Sequence, residues 1–133
     1  MRAYQSVALL GGLFLAGCNT LPVSNVGPKF ALAGKPLKVD TQYSLNPDCT
    51  SIGTTTIRTI EPPRHGTVEV REASDFPFFK PENTRSQCNS RRVPVSQIIY
   101  TPAPGYSGPD SFRMEVIYPS GGGRDISYKI EVR

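Results

Sequence analysis

Residues 125–133 read DISYKIEVR, and this stretch decides the fold. Ile126, Tyr128, Ile130 and Val132 alternate with Asp125, Ser127, Lys129, Glu131 and Arg133. A period of two puts every apolar side chain on one face and every polar one on the other, which is a strand with one buried and one wet face. On a helix the same residues would be scattered around the circumference.

The pattern repeats towards the N-terminus. Residues 111–118, SFRMEVIY, place Phe112, Met114 and Val116 on one face, and the Gly-rich stretch 119–123 between the two segments reads as a hairpin loop. Residues 95–101, VSQIIYT, form a further strand, followed by a turn crowded with Pro and Gly at 102–109. Residues 37–43, LKVDTQY, carry Leu37, Val39 and Thr41 on one face and end at an Asn-Pro-Asp turn. Residues 52–60, IGTTTIRTI, are rich in β-branched side chains. After the break at 61–64, residues 65–71, HGTVEVR, alternate again with Val68 and Val70 inward. Residues 75–80, DFPFFK, are apolar, but Pro77 limits them to an edge strand. Residues 81–92 form a polar, basic loop containing Cys88. About seven strands in roughly a hundred residues, with turn signals every 8–12, predict an antiparallel β-sandwich.

Composition agrees and narrows the function classes. The 12 Gly and 13 Pro in 133 residues argue against long helices, and the length suits one domain. A formal charge of +4 is too mild to imply nucleic acid. A multi-pass membrane protein is excluded, because only one apolar run exists and it is short.

That run is N-terminal. Arg2 precedes an apolar stretch from Val7 to Ala16, and the small residues Ala16 and Gly17 precede Cys18. This is the order of charge, apolar core and small residues of a secretory signal. Leu15-Ala16-Gly17-Cys18 resembles the lipobox of bacterial lipoproteins. The resemblance implies cleavage before Cys18 and lipidation of its thiol, so residues 1–17 are a signal peptide and the partner is a membrane reached through the lipid. Two or more buried acyl chains anchor stably. Asn19 stands where enteric sorting places Asp to retain a lipoprotein in the inner membrane, so it points to the outer membrane. Residues 18–28 then read as the lipidated Cys and a flexible, uncharged tether of roughly 15–20 Å. Residues 29–133 are the domain.

With Cys18 assigned to lipid, Cys49 and Cys88 remain as an even pair in an oxidising compartment, and a disulfide is expected. Two distant Cys and a single His do not supply four zinc ligands.

Two motifs resemble the bacterial immunoglobulin-like and cadherin-like domains of surface proteins. One is Pro63-Arg64-His65-Gly66-Thr67-Val68. The other runs from Tyr100-Thr101-Pro102 through Tyr106 and Gly108 to Asp110-Ser111-Phe112. The resemblance implies an immunoglobulin-like β-sandwich and is good over residues 62–116. The chain departs from it by an insertion at 74–92, and it lacks the Trp of antibody-type domains. Within the motifs, Gly66 lets a strand start where a side chain would obstruct. Tyr100 and Phe112 are expected core aromatics on neighbouring strands. Gly105 and Gly108 suit positive φ, and Asp110 is expected to accept backbone N–H bonds in the turn before its strand. Calcium ligation by Asp110 is the sharper alternative, but the acidic residues are scattered.

No catalytic set emerges. His65 is the single histidine, no G-x-S-x-G elbow exists, and Glu69 and Glu72 fall on opposite strand faces. The expectation is a non-enzymatic protein without cofactor or metal. The best functional candidate is the insertion, where Phe76, Phe78 and Phe79 lie among Lys80, Arg85, Arg91 and Arg92. Aromatics with arginine suit an envelope protein or cell-wall glycan. The bland alternative is that the Phe rings fill an open sandwich edge and the Arg residues are solvated. The functional expectation is an envelope lipoprotein that displays the domain for binding or structural support. The second reading is an inhibitor of an envelope-attacking hydrolase, a lysozyme or protease, acting through residues 74–92.

Overall fold

The alternation at residues 125–133 becomes β7 (Gly123–Val132), with Ile126, Tyr128, Ile130 and Val132 all buried. A computed structural model of the chain describes Gly17 and residues 21–133; Leu15, Ala16 and Cys18 of the lipobox motif lie outside the described residues. β7 pairs antiparallel with β6 (Gly108–Ile117) across a tight turn, in which the Tyr118 N–H donates to Gly122 O at 2.8 Å. The other strands are β1 (Val23–Ala31), β2 (Leu37–Gln42), β3 (Thr56–Glu61), β4 (Gly66–Asp75) and β5 (Val93–Pro102). One 3₁₀ turn, Ser86–Ser90, interrupts them, and no α-helix occurs among the described residues.

The strands form two sheets, β1-β7-β6-β3 and β2-β5-β4. In immunoglobulin lettering the second is B-E-D and the first is C-F-G with an added first strand, so the fold is an immunoglobulin-like sandwich. Every pairing is antiparallel except β1 with β7, which run parallel.

The core forms where the inner faces meet. The Tyr100 and Phe112 rings lie 5.7 Å apart and the Phe112 and Tyr128 rings 4.9 Å apart, giving an aromatic column with Ile98, Met114 and Val116 around it. Tyr100 and Phe112 therefore meet across the sandwich, on consecutive strands in opposite sheets. Gly66 acts as the motif implies: a Cβ there would stand 2.5 Å from Thr101 O and 2.8 Å from the Tyr100 ring. Gly105 and Gly108 have φ of 78° and 128°.

Asp110 sits inside β6, and its carboxylate bridges the motifs. It accepts from the backbone N–H groups of Arg64 and His65 at 3.1 Å and of Ser111 at 2.9 Å, and from the Tyr100 hydroxyl at 2.7 Å.

Three local readings change. Residues 23–28, read as tether, belong to β1, which hydrogen-bonds β7 from Val23 onwards. The strand is hidden because it is an edge whose partly buried positions include Ser24 as well as Val26, and Gly27-Pro28 then breaks the register. A Cβ on Gly27 would meet Lys129 O at 2.5 Å, so glycine is required at that crossing. Residues 76–80 leave the sheet after Asp75, because Pro77 lacks the N–H that would extend the ladder. Val70 is 39% exposed, although it faces inward opposite Ile98, because β4 is a sheet edge.

Candidate functional site

The insertion at 74–92 connects β4 to β5 at the end of the sandwich where the β2–β3 connection and the β6–β7 hairpin also lie. Cys49 and Cys88 are joined in a disulfide, with Cα atoms 5.4 Å apart, which ties the β2–β3 connection to the insertion. Cys88 is fully buried in a second small core with Leu45, Val93 and Val95, against which Tyr43 and Phe79 pack. The insertion therefore has its own apolar floor and a covalent staple.

Its aromatic residues divide by role. Phe79 meets Tyr43 edge-to-face at 5.2 Å and belongs to the small core. Its backbone is held by one side chain: the Phe79 N–H donates to Asn89 Oδ1 at 2.8 Å, and Asn89 Nδ2 donates to Phe79 O at 2.9 Å. Phe78 is 81% exposed. Its N–H donates to the Tyr43 hydroxyl at 2.7 Å, and that hydroxyl donates to Phe78 O at 2.8 Å. One phenol thus satisfies both backbone groups and leaves the ring pointing to solvent. Burial, the largest influence on Tyr43, pushes its phenol above the ordinary value, so it stays a donor at neutral pH. Phe76 is about half exposed, with the Arg92 guanidinium 5.0 Å from its ring centre.

The cations divide likewise. Arg85 Nε donates to Leu45 O at 2.6 Å, and Arg92 donates to Ser74 O at 3.0 Å, so both brace the insertion. Lys80 and Arg91 are exposed. The sequence-predicted residues are thus brought into one loop, three of them as braces (Phe79, Arg85, Arg92) and four on its surface.

Beside the loop runs a groove of about 650 Å³. One wall is the free edge of β2 from Lys38 to Gln42, continued by Tyr43; the others come from Phe76, Phe78 and Phe79, and from Lys29, Tyr118 and Arg124. The register of β2 against β5 slips between Lys38 and Asp40. That slip turns Asp40 to the inner side, paired with buried Ile98. There it accepts from the Tyr128 hydroxyl at 2.6 Å and from Gln42 Nε2 at 2.9 Å. Gln42 Oε1 in turn accepts from the Tyr118 hydroxyl at 2.7 Å. Burial pushes the Tyr128 and Tyr118 phenols up, and Asp40 adds to both shifts. A bonded polar cluster therefore plugs the side of the sandwich beneath the groove.

Sequence reasoning missed Tyr43, Asn89, Asp40, Gln42, Tyr118 and Arg124. Asp40 and Gln42 stand with Lys38 at the polar positions of a regular alternation, so the sequence carried no signal that a bulge between Lys38 and Asp40 turns them inward.

At the opposite end, His65 stacks on Tyr106 with ring centres 4.0 Å apart and ring planes nearly parallel. Glu72 accepts from Ser96, and Glu69 pairs with Arg71, so the two carboxylates serve separate partners. Among the described residues, no group of three His, Cys, Asp or Glu converges as a metal set, and no helix is long and apolar enough to cross a membrane. Comparison with protein-family models, curated proteins and solved structures finds no match.

Proposed function

We propose that the chain is a lipid-anchored bacterial envelope protein that works by contact and performs no chemistry, with the 76–92 loop as its contact surface. The observation that carries this reading is Phe78. An aromatic ring that is 81% exposed, on a backbone held at both polar groups, is already ordered for binding and loses little entropy when covered. Phe78 is joined by half-exposed Phe76 in the same braced loop, and contact surfaces are built around such aromatic anchors. The lipobox-like motif supports the anchor, and the motifs around His65 and Asp110 support kinship with bacterial immunoglobulin-like domains, which fits binding or structural support of envelope protein or glycan.

The same rigidity supports the second reading, inhibition of a hydrolase by loop insertion. A loop fixed by a disulfide, Asn89 and Tyr43 would enter a cleft without ordering cost.

One experiment tests the reading and separates the two forms. The lipidated protein and its Phe78→Ala variant are used to pull down envelope protein and glycan, and both are titrated against lysozymes and proteases. Capture lost in the variant supports the contact surface. Stoichiometric inhibition lost in the variant selects the inhibitor. Capture that is unchanged in the variant sinks the role of the loop.

A further inference from the structure

We propose that the end of the sandwich bearing Phe78 lies flat against the bilayer that takes up the acyl chains of Cys18. The inference rests on the lipid-anchored reading above and names the loop's partner as a phospholipid surface with anionic headgroups.

The argument begins with chain direction. β1 runs parallel to β7, so the chain joins the domain where β7 starts: Val23 pairs with Asp125, and Pro22 O accepts from the Asp125 N–H at 3.3 Å. That is the β6–β7 hairpin end. The same end holds the close of β2, since the Tyr118 hydroxyl reaches Gln42. It also holds the exposed loop, since Tyr43 grips Phe78. The attachment point and the aromatic loop therefore share one end of the molecule. An N-terminal strand antiparallel to β7 would have placed them at opposite ends.

The second step is reach. Only Asn19 and Thr20 separate Cys18 from Leu21, and Leu21 lies in contact range of Gly123 at the base of the hairpin. Three residues span at most about 10 Å when fully extended. The flexible tether expected from sequence is largely used up by β1, so the domain has no slack to stand off the membrane.

The third step is surface chemistry. This end exposes Phe78 and Phe76 together with Val23 and Ile52. Lys80, Arg91 and Arg92 are exposed here while Arg85 is turned to Leu45 O, and the exposed carboxylates beside them are Glu82 and, from the β2–β3 connection, Asp48. Exposed aromatic rings with a surplus of basic side chains in the same loop are a composition that seats in the headgroup region of an anionic membrane. Exposed Phe30 and Leu32 lie at the other end, so apolar exposure alone does not choose the docking face; the direction of β1 does. The covalent anchor holds the loop at high local concentration over the lipid, so a weak insertion is enough to orient the domain.

The chain contains no Trp, so Phe78→Trp creates a single reporter at the loop and Phe30→Trp a matched one at the far end. Both replace exposed rings, and far-UV circular dichroism verifies the fold. Each lipidated variant is placed in vesicles of phosphatidylethanolamine and phosphatidylglycerol with brominated acyl chains. Docking predicts a blue-shifted Phe78→Trp emission, quenched at least about twofold more than that of Phe30→Trp. A Phe78→Trp emission that stays at the water-exposed wavelength, with quenching equal to that of Phe30→Trp, overturns docking and returns the loop to a protein or glycan. Intact mass of the N-terminal peptide separates the two levels. An unacylated Cys18 removes the anchor reading itself, whereas an acylated Cys18 with unquenched Trp removes only the docking.

Discussion

Single side chains do most of the positioning in this chain, and Asp110 is the clearest case. Its carboxylate takes three backbone N–H donors and the Tyr100 hydroxyl while only 8% exposed. Asp110→Ala is expected to cost about 3 kcal/mol in urea unfolding, because it strands a buried hydroxyl and frees the β3–β4 connection. Tyr100→Phe leaves the carboxylate three donors and is expected to cost about 1 kcal/mol. Equal losses for the two variants would refute the bridging role of Asp110. The tyrosines make a second residue-scale prediction. Tyr43, Tyr100, Tyr118 and Tyr128 all have phenols raised above 10.0, with burial as the first cause in each. The folded state therefore holds protons that the unfolded chain gives up above pH 10. Stability is fully present below that pH and falls as pH rises beyond it, by at most about 1.4 kcal/mol per pH unit for each tyrosine. Absorbance titration should show these phenols ionising late and together with alkaline unfolding. Early, independent ionisation of all of them would contradict their burial.

The 74–92 insertion behaves as an element in its own right. It has a floor of Leu45, Val93 and Val95, a staple at Cys49–Cys88, and backbone clamps from Asn89 and Tyr43. The disulfide closes a sequence separation of 39, which the chain-entropy account values at about 4 kcal/mol. Replacing both Cys by Ala is expected to lower stability by about 2–4 kcal/mol and to raise amide exchange chiefly in residues 43–51 and 76–92. Uniform exchange across both sheets would mean that the insertion is not a separable unit. Tyr43→Phe is the gentler test: it should cost about 1 kcal/mol and loosen Phe78 while the disulfide stays closed. The composition of this element was legible in the sequence, since its Phe and Arg residues and its disulfide partner stand out. Their division of labour was not. Phe78 and Phe79 are adjacent and identical in type, and only the positions of Tyr43 and Asn89, 35 and 10 residues away, decide which ring is buried. No local pattern carries that information.

Across the whole molecule, legibility followed burial on one face. β6 and β7 alternate along their length and were readable from period two alone, whereas β5, with Ile98, Ile99 and Tyr100 buried in succession, was legible as a short apolar run between turns. β1 is an edge strand with a mixed polar inner face and a Gly-Pro break, so it read as tether. That misreading matters, because β1 sets both the domain boundary and the direction in which the chain leaves. It pairs Val23, Ser24, Asn25 and Val26 with residues 125–128, packs Val26 on the core, and covers an edge of β7 that would otherwise offer free backbone groups to other chains. A chain shortened to begin at residue 29, the boundary suggested by composition, should lose about 2–4 kcal/mol from the missing ladder bonds and apolar contact, and should self-associate through β7. A chain beginning at Leu21 keeps all of β1 and should match the longer chain in urea midpoint and remain monomeric. Equal midpoints for the two shortened chains would show that residues 23–28 add nothing to the fold. The short reach to Cys18, and with it the orientation of Phe78, would then lose its structural basis.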